Sequence, residues 1–161
     1  MRAELDIVGA ADTEVGIVPG KSPTELCVEA ALLALDDAGL HKSSIDGLIT
    51  CNSMAEPIMY HAEAMAEYLQ IFPPMCMTVN TGGGTTFSVL AHAAAAIQAG
   101  MANTILISMA DSLRSSMTRE QAMLTQSSTG HPQYEQIYGP TVPAYYACLL
   151  YTSPSPRDLS T

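Results

Sequence analysis

"TVNTGGGTTFSVLAHAAAAIQAG", residues 78–100, sets three consecutive glycines between a β-branched run and an alanine-rich run. From Thr85 to Ala99 there is no charge, and Ser88, His92 and Gln98 are nearly the only polar side chains. A helix apolar almost all round is buried on most of its sides, and Gly100 ends it. The strand–glycine–helix unit is therefore expected in the middle of the fold. The helix N-terminus then presents free N–H groups and a positive dipole end to whatever occupies the glycine loop, a setting that suits an oxyanion or a thiolate. Phosphate cradling is poorly supported. "GGGTT" lacks the Lys-Ser/Thr ending of a P-loop, no GxGxxG follows a strand, and the GxSxG of a nucleophile elbow is missing.

Outward from this unit, strands and helices alternate. "LDIVGAA" (5–11) reads as a first strand. "SPTELCVEAALLALDDAGL" (22–40) reads as a helix: Ser22 as N-cap, Pro23 at the first helical position, Glu25 completing a capping box and Gly39 as the left-handed stop. Leu26, Ala30 and Leu33 fall on one face, widened by Val28, Leu32 and Leu35. "SSIDGLITC" (43–51) turns into a second strand, "HAEAMAEYL" (61–69) is a short amphipathic helix, and Pro73-Pro74 forbids further helix. "MCMTVN" (75–80) and "TILISMA" (104–110) are the third and fourth strands. The alternation predicts an α/β domain with a mostly parallel sheet.

The 161 residues suffice for a single core, and 48% hydrophobic against 14% charged content excludes a disordered chain. A net charge of −10 argues against nucleic-acid and anionic-membrane partners. No run approaches a membrane span, and the acids of "MRAELDIVGAAD" interrupt any signal peptide. Cys27, Cys51, Cys76 and Cys148 contain no CxxC pair, so neither a zinc site nor a disulfide scaffold is signalled, and buried free thiols in a reducing cytoplasm are expected. The methionines are expected as core gap-fillers.

"DIVGAADTEVG", "SPTELCVEAALLALDDAGLHKSSIDGLIT" and "VNTGGGTTFSVLAHAAAAIQAGMANTILISMADSL" together resemble the opening of a thiolase, nearest the sterol-carrier-protein-x or lipid-transfer branch. The resemblance covers residues 3–148 and implies the N-terminal half of a thiolase-like fold, with one buried central helix. Thiolases place a nucleophilic cysteine at the start of that helix, where the dipole lowers its pKa. The matching position here is Gly83. Cys76, on the preceding strand, and Cys27, inside the first helix, do not replace it. The resemblance therefore implies an acyl-CoA site at Gly82, Gly83, Gly84 and Thr85 that has lost its nucleophile; the alternative is that these glycines serve close backbone packing alone.

The intact protein is then expected to be an acyltransferase-like or aldolase-like enzyme of lipid metabolism, working on C–C bonds of acyl-CoA thioesters without a covalent intermediate. The alternative is a non-catalytic acyl-CoA or lipid-binding module, or a structural subunit. Coenzyme A enters as part of the substrate, with no permanently bound cofactor and no metal. The expected partners are a second copy through strand 75–80 and a small OB-fold and zinc-ribbon protein, in the cytoplasm. His131 in "GHP" (130–132) resembles part of a thiolase histidine motif, but "QYEQIYG" follows and it reads as a loop residue. His92 is expected as a satisfied core histidine, His41 and His61 as solvated, and Asp36 and Asp37 as facing solvent. Residues 1–147 form the expected domain. From Cys148 the sequence leaves the helical pattern, and "CLLYTSPSPRDLST" (148–161) resembles a translated adaptor end, so a non-native tail on a fragment is expected there.

Overall fold

A computed structural model describes residues 5–154. Its frame is three short strands, β1 (Gly47–Thr50), β2 (Met75–Thr78) and β3 (Ile105–Ser108), in a parallel sheet of order β2-β1-β3. Gly47 lies opposite Met75 and Ile105, and Thr50 lies opposite Thr78 and Ser108. In-register parallel neighbours send their side chains to the same face. Leu48 and Leu106 therefore join Cys27, Ala31, Leu35, Met65 and Leu69 in one core cluster. Ile49 and Met75 join Val89, Ala93 and Ala96 in the other. Helices α1 (Pro23–Asp37) and α2 (His61–Leu69) cover the first face and α3 (Thr85–Gln98) the second. Burial on both faces explains why the strands read as continuous apolar runs.

Local chemistry sets the helix ends. The Ser22 Oγ accepts from Glu25 N at 3.1 Å, while Ser22 N donates to Glu25 Oε2 at 2.7 Å, the reciprocal box the sequence predicts. At the other end Gly39 has φ +63°, Gly39 N donates to Asp36 O and Leu40 N to Leu35 O, which satisfies two terminal carbonyls. Gly100 repeats this after α3, with Met101 N donating to Ala96 O at 2.9 Å.

Several expectations need correction. Residues 5–11 form no strand: Ile7 and Val8 are exposed, and the segment packs as irregular chain on the end of α1, where Ala10 N donates to Asp37 Oδ2 at 2.9 Å. Asp37, expected simply in solvent, is thus also a tie; Asp36 is exposed. The α1 stripe is rotated from the expected one, because Cys27, Ala31 and Leu35 meet the sheet while Leu32 and Leu33 stay exposed. Helix α3 is buried along one stripe only, Thr85, Val89, Ala93 and Ala96. Phe87, 79% exposed, and Leu90 point away from it, since no described element covers that side. Of the methionines, Met65 and Met75 are core, whereas Met59, Met101 and Met123 are exposed.

The chain divides into two compact units, Met1–Ser116 and Met117–Thr161. The first ends with the short helix α4 (Leu113–Ser116). In the second, α5 (Arg119–Ser127) opens with a Thr118–Gln121 capping box, and α6 (Val142–Thr152) begins with a proline in its first turn. α6 runs through Cys148 to Thr152, so the helical pattern continues past the expected break; residues 155–161 of the expected tail lie outside the described residues. Among the described residues no helix is long and apolar enough to cross a membrane.

Candidate functional site

All three strands end at the same edge of the sheet, and the connections leaving that edge carry most of the polar chemistry. In open α/β sheets this carboxyl edge is where ligands bind. A row of hydroxyls, Thr78–Thr50–Ser108, lies across it in register. Each is used. Thr78 Oγ1 accepts from Ala62 N at 3.0 Å, Thr50 Oγ1 is hydrogen-bonded to His61 Nδ1 at 2.9 Å, and Ser108 Oγ donates to Cys27 O at 2.7 Å. The row thereby fastens α1 and α2 to the strand ends.

The glycine loop leaves the same edge. Val79 N donates to Thr50 O at 2.8 Å, and Gly82 N then donates to Asn80 Oδ1 at 3.3 Å. Thr85 Oγ1 closes the loop, accepting from Thr81 N at 3.0 Å and donating to Gly82 O at 2.7 Å. Gly82 has φ +62°, which explains a glycine there. Gly83 has no such constraint: its φ is not positive, and a Cβ built on it meets nothing within 4 Å. Gly84 is the N-cap of α3 and caps no N–H with a side chain, unlike the boxed starts of α1 and α5. An uncapped helix start leaves N–H groups for a solvent or ligand oxygen.

Gly82, Gly83 and Gly84 are exposed and Thr85 is buried, so the loop sits at the surface of the described residues and not in the middle of the fold, as the sequence reading expected. Two cavities, about 230 and 190 Å³, are lined by other residues; the second lies between Glu14, Val18, Leu26 and the Met109–Ser112 segment.

A second cluster fixes the connection after β1. Ser53 is buried; its Oγ donates to Asp111 Oδ1 at 2.9 Å and accepts from Ala55 N and Glu56 N, both at 3.0 Å. Asp111 also accepts from Met54 N at 2.7 Å and Ser112 N at 2.8 Å. Glu56 Oε2 takes Thr24 N and Thr24 Oγ1 at 3.1 and 2.8 Å. Cys51, directly after β1, lies beside Thr85. Sequence reasoning missed Ser53 and Asp111 and read Cys51 only as a free thiol, and the sole hint was a Ser–Asp–Glu content in loops that follow strands.

The cysteines are free, and Cys27, Cys51 and Cys76 are poorly suited to attack. Burial pushes Cys27 up to about 11. Burial and the Asp111 charge raise Cys51, against the Thr85 hydroxyl, and burial raises Cys76. A protonated thiol is a weak nucleophile. Cys27 is buried as expected, Cys51 and Cys76 are half-buried, and Cys148 is exposed, against the expectation of four buried thiols. Among the described residues no group of three or more His, Cys, Asp or Glu side chains could hold a metal ion.

The histidines distribute differently from the sequence reading. His61 is 1% exposed, not solvated, because the first turn of α2 lies on the strand ends. His92 is exposed and bonds back to Ser88 O at 2.7 Å, so it is no core residue; α3 turns that side outward. His41 is exposed as expected and caps the 3-10 turn Lys42–Ser44. His131 lies in an exposed loop against Tyr134, ring centroids 4.8 Å apart.

No protein-family model matches the chain. It is 31% identical over 157 residues to a 17-hydroxy-3-oxo-4-pregnene-20-carboxyl-CoA lyase of Mycobacterium tuberculosis, a match covering 93% of this chain and 39% of the lyase. It is 32% identical over 102 residues to a steroid side-chain-cleaving aldolase of Thermomonospora curvata, covering 62% of this chain and 25% of the aldolase. The chain thus spans well under half the length of either relative. Among solved structures it is similar to 3-oxoacyl-(acyl-carrier-protein) synthase III of Aquifex aeolicus, with TM-score 0.54 at 18% identity over 70% of this chain and 38% of that one. It is also similar to Xanthomonas campestris OleA with bound lauric acid and lauroyl-CoA, with TM-score 0.55 at 16% identity over 74% of this chain and 35% of that one. These neighbours are thiolase-fold enzymes, and the chain has that α/β fold over the part it covers.

Proposed function

We propose that the protein is a thiolase-superfamily member that handles acyl-CoA thioesters, and that the whole protein makes or breaks a C–C bond without a covalent acyl intermediate. The observation that carries this reading is the 31% identity, over nearly all of this chain, to a CoA-ester lyase. The chemistry of Gly83 agrees with it. Covalent transfer needs a nucleophilic atom; glycine offers none, and Cys27, Cys51 and Cys76 hold their protons.

In a retro-aldol cleavage the electron pair of the breaking C–C bond passes into the thioester enolate, so negative charge builds on the thioester oxygen. The start of α3, with the N–H groups of Gly83 and Gly84, is our candidate for receiving that oxygen; Thr85 N already donates to Gly82 O. One well-placed donor is worth about 3 kcal/mol in such a transition state. Coenzyme A is then part of the substrate, with no resident cofactor. We assign the β2 edge, strand 75–80, as the contact with a second copy, and a small OB-fold and zinc-ribbon protein as a further partner. The cytoplasm is the compartment this reading implies, since the free cysteines would persist there.

The non-catalytic reading, an acyl-CoA-binding or structural subunit, draws on a different observation. The carboxylates nearest the strand ends, Asp111 and Glu56, are engaged in backbone and hydroxyl hydrogen bonds. That leaves no obvious general base beside the loop among the described residues. Incubation with an acyl-CoA followed by intact-mass analysis separates covalent from non-covalent handling. No adduct is expected, and an acyl group mapped to Cys27, Cys51 or Cys76 would refute the proposal.

A further inference from the structure

His61 is the largest polar side chain among the fully buried residues, and it is only half satisfied. Its Nδ1 is hydrogen-bonded to Thr50 Oγ1 at 2.9 Å, while its Nε2 is buried without a protein partner. It occupies the first position of α2, and the next residue, Ala62, donates its N–H to Thr78 Oγ1 at 3.0 Å. Thr50 and Thr78 are register neighbours, so the first turn of α2 is seated on two adjacent strand ends by two hydroxyls.

We propose that His61 is a proton-sensitive latch: its neutral ring seats the first turn of α2 on the sheet, and protonation unseats it. Protonation is opposed three ways at this spot. The ring is out of water, a cation at a helix N-terminus meets the positive dipole end, and, in the tautomer whose Nδ1–H donates to Thr50 Oγ1, the added N–H finds no acceptor at the buried Nε2. Burial accordingly holds the ring below the ordinary histidine range, with Glu56 acting in the other direction.

Of the groups around it, Glu56 supplies a counter-charge that burial outweighs. β1 and β2 carry no charged residue; β2 adds the thiol of Cys76 and α1 that of Cys27. Glu63 and Glu67 lie on α2 itself. The Glu56 Oε2 is already engaged by Thr24 N and Oγ1. The sign follows from linkage: the unfolded chain takes up the proton near 6.5 and the seated ring does not. Stability is therefore full above that value and falls by up to about tenfold in the folding equilibrium constant per pH unit below it.

The test is an imidazole NMR titration of the full chain, with the signals assigned by single His→Asn variants. His61 should stay neutral until the Ala62 amide loses its exchange protection, the two events sharing one midpoint. His61 titrating near 6.5 with Ala62 still protected overturns the proposal. His61→Asn keeps a partner for Thr50 and cannot become charged, so its Tm should fall less between pH 7.5 and 5.5 than that of the parent. Equal falls overturn the proposal too; if the variant does not fold, the titration of the parent decides alone.

Discussion

Gly47 and Gly83 are glycines for opposite reasons. A Cβ on Gly47 would stand 2.8 Å from Ile105 Cγ1, 3.1 Å from Ala102 Cβ and 3.2 Å from Met75 Cε, in the middle of a packed sheet. Gly47→Ala should therefore cost about 1–3 kcal/mol, the usual range for overpacking a core, as read by urea denaturation. A Cβ on Gly83 meets open space, so the same measurement should find Gly83→Ala within about 0.5 kcal/mol of the parent. Asp46 shows a third kind of residue. Its carboxylate accepts from Thr104 N at 2.7 Å, and from Asn103 N and Nδ2 at 2.9 Å, and these donors, Thr104 first, hold it below the usual aspartate range. A depressed carboxylate contributes stability above its unfolded value of 3.8, and that contribution is lost as pH falls through the folded value. Asp46→Asn should be less stable than the parent by about 1 kcal/mol at pH 7, allowing for solvent screening. In urea melts the gap should close as the pH drops below 3.8.

At the scale of elements, what was legible in the sequence is what local chemistry decides. Ser22, Pro23, Glu25 and Gly39 bound α1 within a residue or two, Gly100 stops α3, and His61–Leu69 is the helix the pattern predicts. The three strands sit inside the predicted runs and are shorter, because pairing ends where Thr50, Thr78 and Ser108 turn to hold helices. What was illegible depends on partners far along the chain. "LDIVGAA" has a strand's composition, yet no described strand pairs with it, so it packs on α1 instead. An alanine-rich helix without charge reads as buried all round, but only the stripe facing the sheet has a partner here. His61 and Asp111 draw their roles from contacts 11 and 57–58 residues away, and no spacing rule marks those. The glycine loop was legible as a loop at a helix start; that its middle glycine has both open space and an ordinary backbone was not.

As a whole molecule, the chain combines a thiolase-type α/β fold with a span of 39% of its lyase relative. Apolar side chains such as Phe72, 95% exposed, Phe87 and Leu90 stand open on the described residues. The central claim is that the glycine loop at the start of α3 receives the thioester of an acyl-CoA. Gly83 makes this testable, since a Cβ there meets nothing within 4 Å and a larger side chain would stand where we propose that the acyl group lies. The decisive measurement is calorimetric titration of acyl-CoA into the parent and into Gly83→Leu, with the Tm of both recorded. Saturable binding by the parent is expected, with at least a tenfold weaker Kd for Gly83→Leu, a loss of about 1.4 kcal/mol or more, at an unchanged Tm. Equal binding by the two proteins, or none by the parent, would contradict it.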